Sequence, residues 1–237
     1  FACSKDAAKW LFGSRAQKSV ILNNGIETKR FKFSKTVRNK VRESLGIEED
    51  TLVIGHVGRF NHQKNHTFLL EIFSRLIKEV PNASLVLVGD GVLRNKIEEK
   101  VKRLNLEGKV KLLGVRVDIP DLLQAFDLFV FPSIHEGLPV TLIEAQASGL
   151  PCIISQSITK EVDLEVGLVQ YASLDNMSQW INNIIKYNQN SHSRKSPLKA
   201  LSLKGYNIKK TALYIEDYYQ RLGGDVTENV DSIYTDL

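Results

Sequence analysis

Short apolar runs alternate along the chain with longer segments in which apolar residues recur every three or four positions. A run such as residues 52–57 predicts a strand buried on both faces, because it is largely apolar instead of alternating with polar residues. A segment such as residues 66–80 predicts an amphipathic helix that ends before Pro81. The predicted strands are residues 52–57, 84–88, 110–113, 128–131, 152–154 and 168–171, and the predicted helices are residues 66–80, 92–104, 119–125, 139–148, 174–187 and 208–222.

The order of these elements predicts the fold class. Strand and helix alternate five times, which favours an α/β protein with a doubly wound, Rossmann-like parallel sheet. In such sheets ligands bind at the carboxyl ends of the strands. We therefore expect the chemistry in the loops that follow residues 57, 88, 113 and 131.

The two ends of the chain do not follow this alternation. Residues 1–30 contain an amphipathic piece over residues 2–12 and a strand-like run over residues 20–22. Residues 189–206 are polar and basic, which predicts a loop or linker, and the acidic tail after Gly223 is predicted to be disordered. The chain begins with Phe1 instead of Met, so we expect it to start inside a longer protein.

Composition and charge narrow the class of protein without settling its function. Of the 237 residues 43% are hydrophobic and 25% charged, as in ordinary soluble proteins, and no apolar run is long enough to cross a membrane. The net charge of +5 (32 basic minus 27 acidic residues) suits nucleic acid, an anionic membrane or a phosphorylated ligand equally. Nucleic-acid binding is not expected, because no recognition motif and no clusters of surface aromatic residues accompany the basic residues.

Neither a disulfide framework nor a metal site is predicted. Cys3 and Cys152 are far apart in sequence, which favours a reducing cytoplasm and a buried, unreactive Cys152. His62 and His66 have the four-residue offset of some zinc sites, but Gln follows the first histidine and no third ligand is apparent. We therefore expect neither a metal nor another cofactor.

The loop after residue 57 carries two basic residues beside a glycine. Gly58 lets the backbone approach a ligand closely, and Arg59 and Lys64 would clamp a diphosphate through charge-assisted hydrogen bonds. Asn65 is predicted to cap the helix that begins at His66. The same loop is also consistent with an ordinary basic surface.

The loop after residue 131 predicts a second part of the same site. Gly137 frees the backbone and Pro139 suits the first position of a helix, so the N–H groups at that helix start are expected to bind phosphate. Glu136 would then reach past the phosphates to sugar hydroxyls. Glu144, roughly 7–8 Å along the helix, would accept hydrogen bonds from a ribose diol. Two alternatives stay open: an acid favoured by the helix dipole for Glu136, and a buried ion pair for Glu144.

The remaining two loops are less specific. Residues 89–91 read Gly-Asp-Gly without the G-x-G-x-x-G spacing of a dinucleotide site, so a turn before a helix is expected there. Arg116, Asp118 and Pro120 follow the third predicted strand, where they would line a base pocket or form a turn.

Taken together, these stretches resemble the family-four retaining glycosyltransferases of the GT-B fold, and most closely bacterial enzymes that build capsular or exopolysaccharide chains. The resemblance covers about residues 2–222. The pattern G-R-x-x-x-x-K is weakly specific, whereas Glu-x7-Glu around an internal G-L-P is strongly specific. The resembling stretches are GHVGRFNHQKNH (55–66), LVLVGDGVLRNKIE (85–98), VKLLGVRVDIPDLL (110–123) and FPSIHEGLPVTLIEAQASGLP (131–151).

The resemblance implies a role for each residue of the site. The chain would bind a nucleoside-diphosphate sugar, most simply a UDP-sugar, for transfer of a hexose without a metal. Cations that stabilise the leaving group would carry much of the catalysis. The implied catalytic residues are Arg59, Lys64 and Glu136, and the implied donor-binding residues are Gly58, Arg116, Gly137, Leu138, Pro139, Val140, Thr141 and Glu144.

The resemblance also implies a division of the chain. Residues 1–30 would be a remnant of an amino-terminal acceptor domain with its linker, residues 31–205 the donor domain, residues 206–222 a helix that crosses back, and residues 223–237 the tail. An acceptor glycan or lipid-linked glycan would bind through the missing domain, of roughly 150–200 residues, in the cytoplasm or at the inner face of the membrane. Gln156 departs from the acid common in similar proteins. The alternative function is a non-catalytic nucleotide-binding or interaction domain.

Overall fold

The computed structural model describes residues 1–190 and 193–222 and contains one six-stranded parallel sheet. Its strands are β1 (Leu52–Val57), β2 (Ala83–Val88), β3 (Val110–Leu112), β4 (Leu128–Phe131), β5 (Cys152–Ser155) and β6 (Val169–Ala172). Their spatial order is β3-β2-β1-β4-β5-β6. The predicted doubly wound, Rossmann-like sheet is confirmed, and each predicted strand matches an observed one to within one residue at either end.

Helices cover both faces of this sheet. They are α1 (Lys5–Phe12), α2 (Lys35–Ser44), α3 (His66–Glu79), α4 (Arg94–Arg103), α5 (Ile119–Ala125), α6 (Val140–Ala147), α7 (Met177–Asn188), α8 (Leu198–Leu203) and α9 (Ile208–Arg221). Successive side chains of a strand point to opposite faces, so Phe129 and Phe131 enter one core cluster and Leu128 and Val130 the other. This explains why the strand sequences are apolar throughout.

The strand order creates a switch point between β1 and β4. From β1 the chain winds outward through β2 to β3, then returns to place β4 on the other side of β1. The loops that leave the carboxyl ends of β1 and β4 therefore separate in opposite directions and leave a crevice between them. The two loops with the richest predicted chemistry begin at these two strand ends.

Helix α2 was not predicted, and long-range ion pairing explains its position. Ser34 caps its first turn, and Arg38 and Arg42 extend from it to the carboxylate of Asp127 at N···O distances of 2.5 and 2.6 Å. The side chain of Arg42 is buried, and it also donates to four backbone carbonyl groups. Part of the basic cluster in the sequence is thus an internal anchor.

The prediction of a loop or linker over residues 189–206 is wrong in two respects. Helix α8 lies within this range, and Arg194 is half-buried against the carboxyl ends of α5 and α6. Its guanidinium donates five hydrogen bonds, four to backbone carbonyl groups and one to the Ser148 hydroxyl. We refer to Arg38, Arg42, Arg194 and Asp127 as the arginine network; it lies at the amino edge of the sheet.

Phe1 lies next to α9, the last helix that the structure describes. The ring of Phe1 lies 4.9 Å from that of Tyr218 on α9, and residues 20–22 form only an isolated bridge to Ala2 instead of the expected strand. The predicted disordered tail, residues 223–237, lies outside the described residues. Among the residues that are described, no helix has the length and apolar character needed to cross a membrane.

Candidate functional site at the carboxyl ends of β1 and β4

The loops that follow β1 and β4 meet through an ion pair. Lys64 Nζ lies 2.7 Å from Glu136 Oε1, and the two side chains are only 15% and 8% exposed. The ammonium group of Lys64 also stands over the ring of Phe131, 4.6 Å from its centroid. The backbone groups of Ile134 and Gln63 are hydrogen-bonded as well. Lys64 and Glu136, which were predicted to contact the same ligand, are therefore in direct contact with each other.

The glycines around this loop allow the backbone of the β2 loop to lie directly on it. A Cβ atom at Gly89 would stand 2.1 Å from the carbonyl oxygen of Gly58, and one at Gly91 would stand 2.6 Å from that of Phe60. Gly89 and Gly91 also have positive φ angles of 132° and 158°, which other residues rarely adopt. The expected turn is confirmed, and its glycines serve this close packing.

The start of α6 leaves several polar groups free. Pro139 is the N-cap residue, one position before the predicted one, and provides no side-chain cap. Within the described chain, the N–H groups of Gly137, Leu138, Val140 and Thr141 have no hydrogen-bond partner. The buried hydroxyl of Thr141 also lacks one there. Donors in this arrangement form a ready anion site.

Gly137 was expected to free the backbone of this loop, and the structure shows no need for a glycine there. Its φ angle is not in the left-handed region, and a Cβ atom there would meet no other atom within 4 Å. The backbone conformation therefore does not require a glycine at this position. The open space beside the residue instead leaves the neighbouring N–H groups accessible.

Glu144 lies one turn into α6, half-buried, and the structure removes one of its two alternatives. Its carboxylate forms no ion pair and no hydrogen bond with the described residues. Burial raises the pKa of this carboxyl group from 4.5 to about 7. The buried acid with an ionic partner is Glu136, so the buried-ion-pair alternative for Glu144 is wrong. An acceptor group is left without a donor on the face of α6 that carries Val140.

The two predicted arginines differ in their surroundings. Arg59 is exposed, and its guanidinium has no ionic or hydrogen-bond partner in the described part of the chain. Arg116 is held by Asp118 through two hydrogen bonds of 2.5 and 2.8 Å. Asn65 occupies the N-cap position of α3, but its side chain makes no capping hydrogen bond, so that expectation is wrong. Asn61 instead accepts a hydrogen bond from the backbone of Lys64.

Two buried histidines beneath the ion pair were not predicted as part of the site. His56 donates from Nδ1 to the Val130 carbonyl group, and burial lowers its pKa to about 4. The ring of His66 lies 4.7 Å from that of His56, and burial lowers its pKa to about 2. The signal in the sequence was a polar residue within a buried strand. His62 and His66, the two histidines with zinc-like spacing, do not face one metal, because His62 is exposed and His66 is buried. Among the described residues, no group of three or more candidate metal ligands occurs.

Comparison with protein-family models gives one match in this region. The model described as "Glycosyl transferases group 1" covers residues 37–166, which include the loops after β1, β2, β3 and β4. The chain is 44% identical over 189 residues to the putative glycosyltransferase EpsF of Bacillus subtilis, covering 78% of this chain and 49% of that protein. It is 30% identical over 210 residues to the UDP-Gal:alpha-D-GlcNAc-diphosphoundecaprenol alpha-1,3-galactosyltransferase of Escherichia coli, covering 84% and 53%.

Solved structures share the fold. Anabaena Alr3699/HepE, crystallised in complex with UDP and glucose, superimposes with a TM-score of 0.76 at 24% identity over 92% of this chain and 62% of that one. The carboxyl-terminal domain of the group 1 glycosyl transferase LpcC from Francisella tularensis is covered completely, with a TM-score of 0.62 over 78% of this chain. The chain spans about half the length of the curated relatives it matches.

Proposed function

Since the chain belongs to the group 1 glycosyl transferases, we propose that it forms the half of a retaining hexosyltransferase that binds the sugar donor, a UDP-sugar. The observation that carries this proposal is the Lys64–Glu136 contact beside the free N–H groups at the start of α6. It combines a cation, an anion-binding helix start and a sugar-facing carboxylate at the crevice of a switch point.

Each part of the site suits one part of such a donor. Lys64 and Arg59 supply the positive charge that would hold the diphosphate and stabilise it as the leaving group, so no metal is required. The N–H groups of Gly137, Leu138, Val140 and Thr141 would bind the phosphates and the transferred sugar. Glu144, which has no partner among the described residues, would accept hydrogen bonds from the ribose hydroxyls.

Exposed apolar side chains on α1 and α9 support a role as one half of a larger enzyme. Trp10 on α1 is 84% exposed, and Leu213 and Tyr219 on α9 are more than half exposed. Exposed apolar side chains on two neighbouring helices are typical of a surface that another domain covers. We propose that an amino-terminal domain packs here and supplies the site for an acceptor glycan or lipid-linked glycan.

We propose that the enzyme acts in polysaccharide synthesis in the cytoplasm, where its acceptor is presented at the inner face of the membrane. Both cysteines among the described residues are free thiols, and burial raises the pKa of Cys152 well above its usual range. A protein that keeps its thiols unpaired suits a reducing compartment.

Calorimetric titration with UDP, GDP and ADP in metal-free buffer tests the proposal. We expect UDP to bind with a stoichiometry of one and more tightly than the other two nucleotides. Glu144→Ala should weaken UDP but not pyrophosphate, because pyrophosphate has no ribose. The matched control is Glu79→Ala, an exposed glutamate on α3.

Two results would contradict the proposal. The first is the absence of binding by any nucleotide to the folded chain. The second is an equal loss of UDP and pyrophosphate affinity in Glu144→Ala, which would remove the ribose contact. Binding of UDP without glycosyl transfer, after fusion to a matching amino-terminal half, would favour the non-catalytic alternative.

A further inference from the structure

A cavity of about 520 Å³ opens at the edge of the sheet opposite the donor site. Its floor includes Leu128, Cys152 and Val169, which are the first residues of β4, β5 and β6. The donor site instead lies beyond the last residues of β1 and β4. A four-residue strand rises about 3.3 Å per residue, so roughly 10 Å of sheet separates the two places.

The charges around this cavity are predominantly positive. Four basic side chains line it, those of Lys35, Arg38, Lys186 and Arg194, against the single carboxylate of Asp127. That carboxylate is already bound by Arg38 and Arg42. Lys35 and Lys186 form no ion pair with any residue that the structure describes. The cavity therefore carries positive charge that attracts an anion.

The wall of this space also contains an unpartnered hydrogen-bond donor. Asn183 lines the cavity from α7, and its Nδ2 atom is buried without a partner in the described part of the chain. Buried polar atoms are nearly always hydrogen-bonded in folded proteins. An amide nitrogen only donates, so the missing partner is an acceptor. The positive charge and the unpartnered amide donor both indicate an anionic group that accepts hydrogen bonds.

The walls of the cavity are partly apolar, and its volume is larger than a simple ion needs. Phe33, Leu128, Pro151 and Val169 contribute apolar surface to it. Small-molecule sites enclose about 300–1,000 Å³ and combine apolar walls with a few polar groups. An inorganic anion would leave most of this space empty.

We propose that this cavity binds a small organic anion. Its phosphate or carboxylate group meets Lys35 and Lys186, and the Asn183 side chain turns from the wall to donate to it, while its apolar body packs against Phe33 and Val169. This site is independent of the donor site, and its existence does not depend on the proposed function.

Titration of the chain with phenyl phosphate and benzoate tests this proposal. Phenol serves as the uncharged control and inorganic phosphate as the control without an apolar body, with the Asn183 side-chain amide followed by NMR. We expect both organic anions to bind saturably and to shift that amide resonance. Phenol and inorganic phosphate should bind roughly tenfold or more weakly. Saturating UDP should leave these affinities unchanged.

Variants locate the binding. Lys35→Ala combined with Lys186→Ala, and separately Asn183→Asp, should weaken phenyl phosphate about tenfold. Both lysines are exposed, so the double variant is expected to fold. Lys78→Ala on α3 and Lys64→Ala in the donor site should have no effect on it. Absence of saturable binding by both anions, equal binding of phenol, or an effect of the double variant no larger than that of Lys78→Ala would overturn the proposal.

Discussion

The arginine network at the amino edge of the sheet and the donor site at the carboxyl edge differ in whether their polar groups have partners. At the amino edge, the guanidinium of Arg194 donates five hydrogen bonds, and Arg38 and Arg42 share the carboxylate of Asp127. At the carboxyl edge, the carboxylate of Glu144 and the N–H groups at the start of α6 have no partners among the described residues. Both edges belong to the same strands and the same core.

The difference separates groups that stabilise the fold from groups that await a ligand. A buried donor or acceptor without a partner destabilises the folded state. Most of the unpartnered buried groups among the described residues lie at this crevice, on His56, His66, Ser133 and Thr141, and only Tyr171 and Asn183 carry one elsewhere. Groups held in place without a partner need no rearrangement when a ligand arrives. A substitution in the arginine network should therefore lower stability, whereas one at the carboxyl edge should chiefly lower affinity.

The largest effect is expected from Asp127→Ala. This substitution leaves the buried guanidinium of Arg42 without its anion and removes a hydrogen bond to the backbone of Val53. Breaking a buried ion pair from one side costs about 3–5 kcal/mol. Urea unfolding should show a loss of this size in the free energy of unfolding. UDP affinity, measured where the variant is still folded, should be unchanged.

Asp217→Ala is the matched control for this substitution. Asp217 also pairs with an arginine, Arg221, but both side chains are more than half exposed. Exposed pairs contribute at most about 1 kcal/mol, so the control should lose little stability. Similar losses in the two variants would show that the arginine network does not stabilise the fold as argued here.

The same contrast explains what could be predicted from the sequence. Strands and most helices follow from hydrophobic periodicity, which records how each segment meets the core. Helix α2 escaped because only Val37 and Val41 mark its buried face, and its position depends on an aspartate more than 80 residues away. Arg194 was assigned to a polar linker because its hydrogen bonds to α5 and α6 leave no trace in local sequence.

The candidate site was predicted better than its electrostatics. A glycine, two cations and a proline at strand ends predicted which loops would meet, because the sheet topology brings strand ends together. The pairing of Lys64 with Glu136, and the lack of a described partner for Glu144, required coordinates. Pair distances depend on how the two loops pack, and neither periodicity nor spacing encodes that packing.

The second prediction concerns Lys64→Ala at the carboxyl edge. Loss of one charge-assisted hydrogen bond to the diphosphate should weaken UDP and pyrophosphate alike, by about 1.5–3 kcal/mol, in calorimetric titration. Because Glu136 then loses its ionic partner, the single variant should also be less stable. Adding Glu136→Gln should restore stability without restoring pyrophosphate affinity. Recovery of both would mean that Lys64 only neutralises Glu136.

The third prediction uses the pKa of Glu144. Burial raises this pKa to about 7 in the folded chain, from 4.5, so the folded state holds the proton more tightly than the unfolded state does. The stability of the wild type relative to Glu144→Gln should therefore fall as pH rises from about 4.5 to 7, and stay low above that. A shift of this size corresponds to about 3 kcal/mol for a fully buried group. Because Glu144 is only half-buried, the expected difference in urea unfolding between pH 8 and pH 4.5 is roughly 1–2 kcal/mol.

Ligand binding should respond to pH in the opposite direction. Ribose hydroxyls donate to the ionised carboxylate, so UDP affinity should rise through pH 7 in the wild type. In Glu144→Gln this rise should be smaller, although the phosphate of UDP titrates in both proteins. An identical pH profile of the two proteins would separate Glu144 from the ligand.

The smallest effect is expected from Arg116→Ala. Arg116 is neither buried in an ion-pair network nor without a partner. Arg116 is exposed, and Asp118 already occupies its hydrogen-bonding edge, so the substitution should change the free energy of unfolding by less than about 1 kcal/mol. Only the flat face of the guanidinium remains for a nucleobase, and stacking there should add about 0.5–1 kcal/mol. Calorimetry should therefore show slightly weaker UDP and unchanged pyrophosphate. A loss shared by both ligands would instead place Arg116 at the phosphates, because pyrophosphate carries no base.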